Sequence, residues 1–389
     1  MKSNRDIQRQ SASRPAPDVV PADPRPVLLR QSLVELTAET QRHGFPGYRA
    51  RQVYQWLYKQ IAGSIEEMTN LPADYRAWLA EFYRFGGVEI ADRRVSADGS
   101  QKLLIRLHDG RLIESVLMPD GERRTLCLSS QVGCPLGCRY CLTGQGGLLR
   151  NCSMDEILGQ YLAARRLVPA GQIPITHLVF MGMGEPLLNT ANVFAAIGRL
   201  TDPRAVGLSP RRITVSTAGV VKGIDALGEA NLGVKLAVSL NASTEEQRQR
   251  LMPNRRLDRL EDILEAGRRF PLAKQRRITF AYVLLDGFND ALDDAHRLGR
   301  LLHGIRCKIN LIPFNPVPGL LPFRRPPEAH VQRFQQILAE MNYTVSIRYS
   351  KGEDVGGACG QLAGHLNAQI LYDARLADAL VDPHAEDQS

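Results

Sequence analysis

TLCLSSQVGCPLGCRYC, residues 125–141, sets a short apolar run directly before three closely spaced cysteines. Thr125–Ser130 reads as a β-strand, and the Gly-Cys-Pro that follows ends it. Cys134, Cys138 and Cys141 come next as C-x3-C-x2-C. Downstream, apolar runs of strand length recur at His177–Met181, Arg212–Ser216, Val234–Ser239, Ile278–Leu285 and Lys308–Ile312. Between them lie stretches of helical period: Met154–Leu167, Ala191–Leu200, Leu260–Phe270 and Ala291–Leu302. Six β/α units in succession predict an α/β fold with a parallel sheet and right-handed crossovers, either open or curled into a partial barrel. Ligands of such folds gather beyond the carboxyl ends of the strands. A last strand, Tyr343–Tyr349, leads into the Gly-rich GEDVGGACGQLAG of residues 352–364.

The cysteine triplet sits at such a strand end. Three thiolates from a short loop can hold three irons of a [4Fe–4S] cube and leave the fourth iron open. An electron-transfer ferredoxin fills that corner with a fourth cysteine. An open corner can instead chelate the amino and carboxylate groups of S-adenosylmethionine (SAM), whose reductive cleavage releases a 5′-deoxyadenosyl radical. Zinc is the competing reading, with Cys152 or Cys127 completing a tetrahedron, although no second C-x2-C pair exists in the chain. The other strand ends are polar too. Met183-Gly184-Glu185-Pro186 combines a glycine for close backbone approach with a carboxylate able to accept from an ammonium group. Ser216-Thr217, Ser239-Leu240-Asn241 and Asn315-Pro316 follow the next strands and complete a polar ring.

Before the barrel, residues 1 to about 27 are rich in Pro, Ser, Arg and Asp and read as a disordered tail. A compact helical module follows, with Val53, Trp56, Leu57 and Ile61, then Tyr75, Trp78, Leu79 and Phe82, at helical spacing. Both tryptophans belong to its core. Residues 102–118 predict a β-hairpin turning on Asp109-Gly110. A two-residue turn sets Leu107 opposite Leu112 and Ile105 opposite Glu114. One face then holds Leu103, Ile105, Leu107, Leu112, Val116 and Met118, with Glu114 its sole polar residue; a slipped register would put Glu114 in water.

The chain has 389 residues, 44% hydrophobic and 23% charged, enough for two to three domains with an ample core. No run approaches the roughly 18 apolar residues of a membrane span. The N-terminal residues carry no apolar export signal, so a cytoplasmic location is expected. Seven cysteines, four of them between 127 and 141, point to metal or redox chemistry rather than a disulfide scaffold. The formal charge of +8 is uneven: residues 1–60 hold ten Lys/Arg against five Asp/Glu, and residues 248–277 ten against four. Nucleic acid is the default partner for such blocks, a solvated basic surface the plain alternative.

With the triplet and the loops in hand, the chain resembles the RlmN/Cfr family of radical SAM RNA methyltransferases, RlmN being the nearer. The segments that carry the likeness are TLCLSSQVGCPLGCRYC, FMGMGEPLLN, ITVSTAGV, LIPFNPVPG and GEDVGGACGQLAG. The resemblance implies a partial (β/α)6 radical SAM barrel over 121–350. Before it would lie a tail (1–27), a helical RNA-binding module (28–90) and a β-hairpin linker (91–120), and after it a C-terminal segment (351–389) with the methyl-accepting cysteine. It implies that Cys134, Cys138 and Cys141 bind one [4Fe–4S] cluster, and that Gly184, Glu185, Ser216, Ser239, Leu240, Asn241 and Asn315 contact SAM. Cys359 matches the methyl carrier, Cys127 its resolving partner, and Glu114 a proton acceptor. The sequence departs at Asn241, where the family usually has His, and in the wording RYSKGEDV. Cys152 and Cys307 match no functional position and read as buried thiols.

The activity so implied is methylation of adenine C2, a carbon that displacement on SAM cannot reach. One SAM methylates the Cys359 thiolate; a second yields a radical that takes hydrogen from the S-methyl group. The methylene radical adds to C2, Glu114 or Cys127 removes the C2 proton, and Cys127 attacks the Cys359 sulfur to free the product. The implied substrates are 23S rRNA (adenine 2503) and adenine 37 of some tRNAs. The implied helpers are an electron donor such as flavodoxin or ferredoxin with its reductase, and a thiol reductant. Cfr-like methylation of C8 uses the same cysteines, and a non-enzymatic zinc-dependent RNA-binding protein is the third reading.

Overall fold

The computed structural model describes residues 23–254, 257–317 and 322–364. Residues 1–22 of the expected tail and 365–389 of the C-terminal segment lie outside them. Residues 23–27 fall within the expected tail, yet Val27 is buried and bridges to Arg84, because Val27-Leu28-Leu29 is an apolar run that enters the core. The helices α1 (Leu33–Arg42), α2 (Tyr48–Gln55) and α3 (Ala73–Phe82) follow. Ser32 caps α1 in a capping box with Glu35. Trp56 and Trp78 are half-buried and pack against the core, Trp78 stacked on Tyr75 and Phe82.

One ten-stranded sheet organises the rest. Its strands are β1 (Glu89–Val95), β2 (Gln101–Arg106), β3 (Leu112–Asp120), β4 (Arg123–Cys127), β7 (His177–Phe180), β8 (Ile213–Thr217), β9 (Lys235–Ser239), β10 (Ile278–Leu284), β11 (Cys307–Pro313) and β12 (Val345–Ile347), in that spatial order. A separate two-stranded ribbon pairs β5 (Gln131–Gly133) with β6 (Leu148–Asn151). From β4 to β12 every pairing is parallel. Strand order without reversal puts all crossover helices on one side and curls the sheet into a partial barrel. These helices are α5 (Met154–Arg166), α6 (Thr190–Thr201), α7 (Val221–Glu229), α8 (Glu245–Leu251), α9 (Leu260–Arg269), α10 (Leu292–Leu301) and α11 (Glu328–Glu340); a single turn, α4 (Leu142–Gln145), follows the cysteine loop. β11 alternates buried and half-buried residues: one face lies under the helices and the other looks into the lumen.

The antiparallel strands β1–β3 extend this same sheet, since β3 pairs with β4. Their hairpin differs from the expected one. The turn has three residues, His108-Asp109-Gly110, with Gly110 at φ +79° and Leu107 N–H donating to Arg111 O at 2.8 Å. The register therefore slips by one: Ile105 faces Ile113 and Glu114 faces Leu104. The apolar set Leu103, Ile105 and Leu107 sits on the face of Ile113, Ser115 and Leu117. Glu114 shares the other face with Val116, Leu104 and Lys102, and even so it is only 1% exposed. The slip does not take Glu114 to water, because β3 is covered on both faces.

Candidate active site

The cysteine loop is braced before any metal is considered. Cys134 N–H donates to Gly147 O at 2.8 Å, Cys141 N–H to Cys138 O at 3.0 Å and Arg139 N–H to Leu251 O at 2.9 Å. Cys134 and Cys138 are buried and Cys141 half-buried. Burial pushes all three thiols up, Cys138 to about 12, and Cys141 raises the other two further. A set of three neutral thiols with no imidazole between them is a soft donor set, and deprotonation of such thiols accompanies iron binding. The donor chemistry thus fits the three protein-held irons of a [4Fe–4S] cube.

In the loop after β7, Gly184 sits at φ +97°, and a Cβ there would lie 2.5 Å from the Cβ of Gln131, so the glycine is required by packing of this loop against Gln131. Glu185 is 3% exposed, and its carboxylate accepts from Leu187 N–H at 3.0 Å and Ala218 N–H at 2.8 Å. Burial pushes its pKa up to about 7, against the pull of those two N–H groups and the Thr217 hydroxyl. Ser216 and Ser239 stand half-buried at the ends of β8 and β9. Leu240 turns its side chain into the core, leaving only its backbone toward the mouth.

Asn241 is non-glycine at φ +57°, a left-handed conformation that Asn tolerates better than most residues. Its side chain donates to Tyr140 Oη at 2.6 Å and accepts from Val283 N–H at 2.9 Å. Asn315 is also committed: its Nδ2 donates to Ser350 Oγ at 2.9 Å and to Cys359 O at 3.0 Å.

That last bond introduces the Cys359 segment. Leu142 N–H donates to Gly360 O at 2.8 Å, the Thr143 hydroxyl donates to Leu362 O, and a Cβ at Gly360 would lie 3.0 Å from Tyr140 O. The cysteine loop and the Cys359 segment are thus laid against each other. At the segment's other end Gly352 N–H donates to Asp98 at 3.0 Å, while Asp354 accepts from Ser96 Oγ at 2.6 Å and Ala97 N–H at 3.0 Å. Composition alone suggests that these glycines let the segment swing; in the fold they permit positive φ and close approach in a docked strap. Cys359 is exposed to solvent yet hemmed in at the barrel mouth. The protein atoms crowded around it push its thiol up, Cys141 adds to the rise, and Arg348 and the Ser350 hydroxyl oppose it.

Cys127 lies at the end of β4, buried and paired with Val116 on one side and Val179 on the other. Burial raises its thiol, and Cys359 raises it further. Glu114 reaches the same segment: its Oε2 accepts from Ala363 N–H at 2.6 Å and Gly364 N–H at 3.1 Å, and its Oε1 lies 3.3 Å from Lys102 Nζ. The carboxylate holds the strap's end. Cys152 and Cys307 are buried.

Three supporting residues of the site are not singled out by the sequence, although two of them, Gln131 and Tyr140, lie within residues 125–141. Gln131 accepts from Glu185 N–H at 2.8 Å, and Tyr140 supports Asn241. Arg248, 2% exposed, donates to Leu240 O at 3.0 Å and to Ala218 O, tying the carboxyl ends of β9 and β8 beneath the mouth. By sequence it belongs to the basic block of 248–277, yet it is interior. Several others of that block are engaged internally: Arg269 with Asp225, Arg276 with Gly233 O and Arg277 with Thr344. The one advance signal for Arg248 is its place three residues before Leu251 on the apolar side of α8.

Comparison with known proteins agrees with this arrangement. Residues 128–298 match the radical SAM superfamily, and residues 28–84 match the N-terminal domain of ribosomal RNA large subunit methyltransferases. The chain is 48% identical over 346 residues to the dual-specificity RNA methyltransferase RlmN of Anaeromyxobacter sp. (88% of this chain, 91% of the relative). It is 45% identical over 339 residues to that of Geotalea uraniireducens (87% and 97%). The crystal structure of a radical SAM methyltransferase from Sphaerobacter thermophilus superposes with a TM-score of 0.82 at 42% identity, covering 87% of this chain and 99% of that one. A cysteine triplet at the mouth of a curled parallel sheet, a second cysteine strapped beside it, and likeness over nearly the whole length lead to one assignment: the chain belongs to the RlmN family of radical SAM RNA methyltransferases.

Proposed function

We propose that the enzyme methylates C2 of an adenine in RNA, with 23S rRNA adenine 2503 and adenine 37 of some tRNAs as substrates, by way of an S-methyl group on Cys359. The observation that carries this reading is the hydrogen-bonded seam between the cysteine loop and the Cys359 segment, with Cys127 beneath it. Bound cluster and SAM supply the methyl group and a 5′-deoxyadenosyl radical. Cys134, Cys138 and Cys141 hold the cluster. Gly184, Glu185, Ser216, Ser239, Leu240, Asn241 and Asn315 border the space for SAM.

The chain's own residues then divide the work. Cys359 carries the one-carbon unit and presents it from a strap that its glycines hold close to the cluster loop. Asn315 fixes the Cys359 carbonyl and with it the direction of the thiol. Cys127, stationed at the end of β4, releases the product: its thiolate attacks the Cys359 sulfur, an S–S bond forms, and the sulfur–carbon bond breaks with its electron pair passing to the nucleobase, whose released carbon takes up a proton to become the methyl group. Two electrons from an external thiol reductant restore both thiols. Glu114, already accepting two N–H groups, fixes the strap's end, and the C2 proton passes to it or to Cys127.

Electrons for SAM cleavage come from a flavodoxin- or ferredoxin-type donor, and the setting is the cytoplasm. Among the described residues no helix is long and apolar enough to cross a membrane. The test is nucleoside mass spectrometry of RNA treated with reconstituted enzyme: 2-methyladenosine is expected, and 8-methyladenosine or no methylated adenosine would reject the assignment. Cys127→Ala is expected to trap a protein–RNA conjugate on a denaturing gel; normal release of methylated product would reject the resolving role.

A further inference from the structure

The lumen face of the sheet can be followed strand by strand from its register. Cys127, Val179, Thr214 and Lys235 lie side by side in one row. Ser216, Ala237, Thr279 and Lys308 form the next row toward the mouth. Ser239, Ala281, Asn310 and Ser346 form a third, and Arg348 follows Ser346 by two residues on the same side. Lys235, Lys308 and Arg348 therefore share the face of Cys127, Ser216 and Ser239. They step diagonally from the base of β9 across β11 to the end of β12. Lys235 and Arg348 are exposed and Lys308 is half-buried, so the diagonal is open to water along its length.

Among the described residues none of the three stands within ion-pair distance of a carboxylate. Burial and neighbouring cations push both lysines below their usual range: Lys235 by Arg123 and Arg276, Lys308 by Lys235, Arg348 and Arg277. Arg348 in turn acts on Cys359. A row of like charges is maintained at a cost unless something anionic is brought to it. SAM offers a single carboxylate at the cluster end, too little for a file that crosses four strands. A polyanion with regularly spaced charges matches it, and a single-stranded nucleic acid is narrow enough to lie along a curled sheet.

We propose that Lys235, Lys308 and Arg348 form a track for the RNA backbone along the barrel lumen, leading the unpaired strand that bears the target adenine up to Cys359. This rests on the RNA reading above and adds where the strand runs. It lies on the inner wall of the barrel, not on the basic block of 248–277, several of whose arginines are already engaged within the chain. Phosphates on the track would neutralise the lysines' mutual repulsion, so binding and the geometry of delivery are coupled.

The experiment uses cluster-loaded full-length protein and an RNA hairpin with an adenine in its single-stranded loop. Fluorescence anisotropy gives the affinity over a range of salt concentrations. In the Lys235→Gln/Lys308→Gln double variant the affinity at low salt should fall at least tenfold. The slope of log affinity against log salt should shrink by about 1.4, roughly 0.7 for each single-strand phosphate that is no longer neutralised. Lys235→Arg/Lys308→Arg keeps the charges and should keep the wild-type slope; if it too loses binding while its cluster absorbance is intact, the charge account is wrong. Wild-type affinity and slope in the glutamine variant would overturn the track and leave the enzyme assignment standing. A wild-type protein that neither binds nor methylates RNA would instead overturn the assignment itself.

Discussion

Burial and hydrogen bonding pull the Glu185 carboxyl in opposite directions, and burial wins: its pKa stands at about 7, where an exposed glutamate would titrate at about 4.3. A carboxyl with a raised folded-state pKa favours the folded protein while protonated, and that benefit fades as pH rises from the usual glutamate range through about 7. In the proposed site a SAM amino group would donate to the carboxylate and recover it. SAM affinity, measured by equilibrium dialysis on the cluster-loaded protein, should therefore weaken as pH is lowered through 7, and Glu185→Gln should abolish that acid limb. An identical limb in the variant would place the titration elsewhere. At this scale the sequence points to candidates. The cysteines and Glu185 stand out by type and spacing, because soft thiols and a buried carboxylate have few substitutes, whereas the need for glycine at 184 comes from Gln131 packed against it, which no spacing reveals. Asn241 is readable as a polar residue at a strand end, but its left-handed backbone is revealed by no spacing. Arg248 misleads, because a charge that ends up capping two strand carbonyls is written in the same letter as one facing water.

A strand pairing and a strap set the limits at the next scale. Most of the parallel strands are legible to within a residue or two, because each is an apolar run bounded by turn residues; the first is not, ending at Cys127 where the sequence predicts Ser130. The hairpin register is not: a two-residue and a three-residue turn both fit HDGR, and the choice shifts every partner by one. The same ambiguity touches the Gly-rich segment, where composition cannot tell a hinge from a strap whose glycines take positive φ against neighbouring backbone. The strap reading has a direct consequence. Glu114 holds Ala363 and Gly364, so Glu114→Ala should speed amide hydrogen exchange at those two residues and around Cys359, leaving β7–β11 protected as before. Unchanged exchange there would mean that Asp98, Asn315 and Thr143 hold the strap without it.

Across the whole molecule, buried charge joins the parts. Glu156, fully buried on α5, takes a bidentate pair from Arg150 at 2.8 Å and a further bond from His108 at 2.7 Å, while Arg150 reaches Asp109 at 2.7 Å. The hairpin turn, the β5–β6 ribbon and the first barrel helix thereby meet at one carboxylate, and Arg30 on Asp155 ties the N-terminal helices to the same helix. Glu156→Ala strands a partly buried guanidinium, so urea unfolding should show a loss of about 3–5 kcal/mol; a change under about 1 kcal/mol would show that the network does not couple these parts. None of this is visible in the chain, since His108 and Glu156 are 48 residues apart and only the fold brings them together. What the assembly holds is Cys359 beside the cysteine loop, and the role proposed for it can be read out directly. Reduced enzyme is given SAM with an isotopically labelled methyl group, then RNA, and both are followed by mass spectrometry. The label should appear first on Cys359 and afterwards on adenine, and Cys359→Ala, with its cluster intact, should label neither. Labelled adenine from that variant, or label reaching RNA while Cys359 stays bare, would contradict the mechanism.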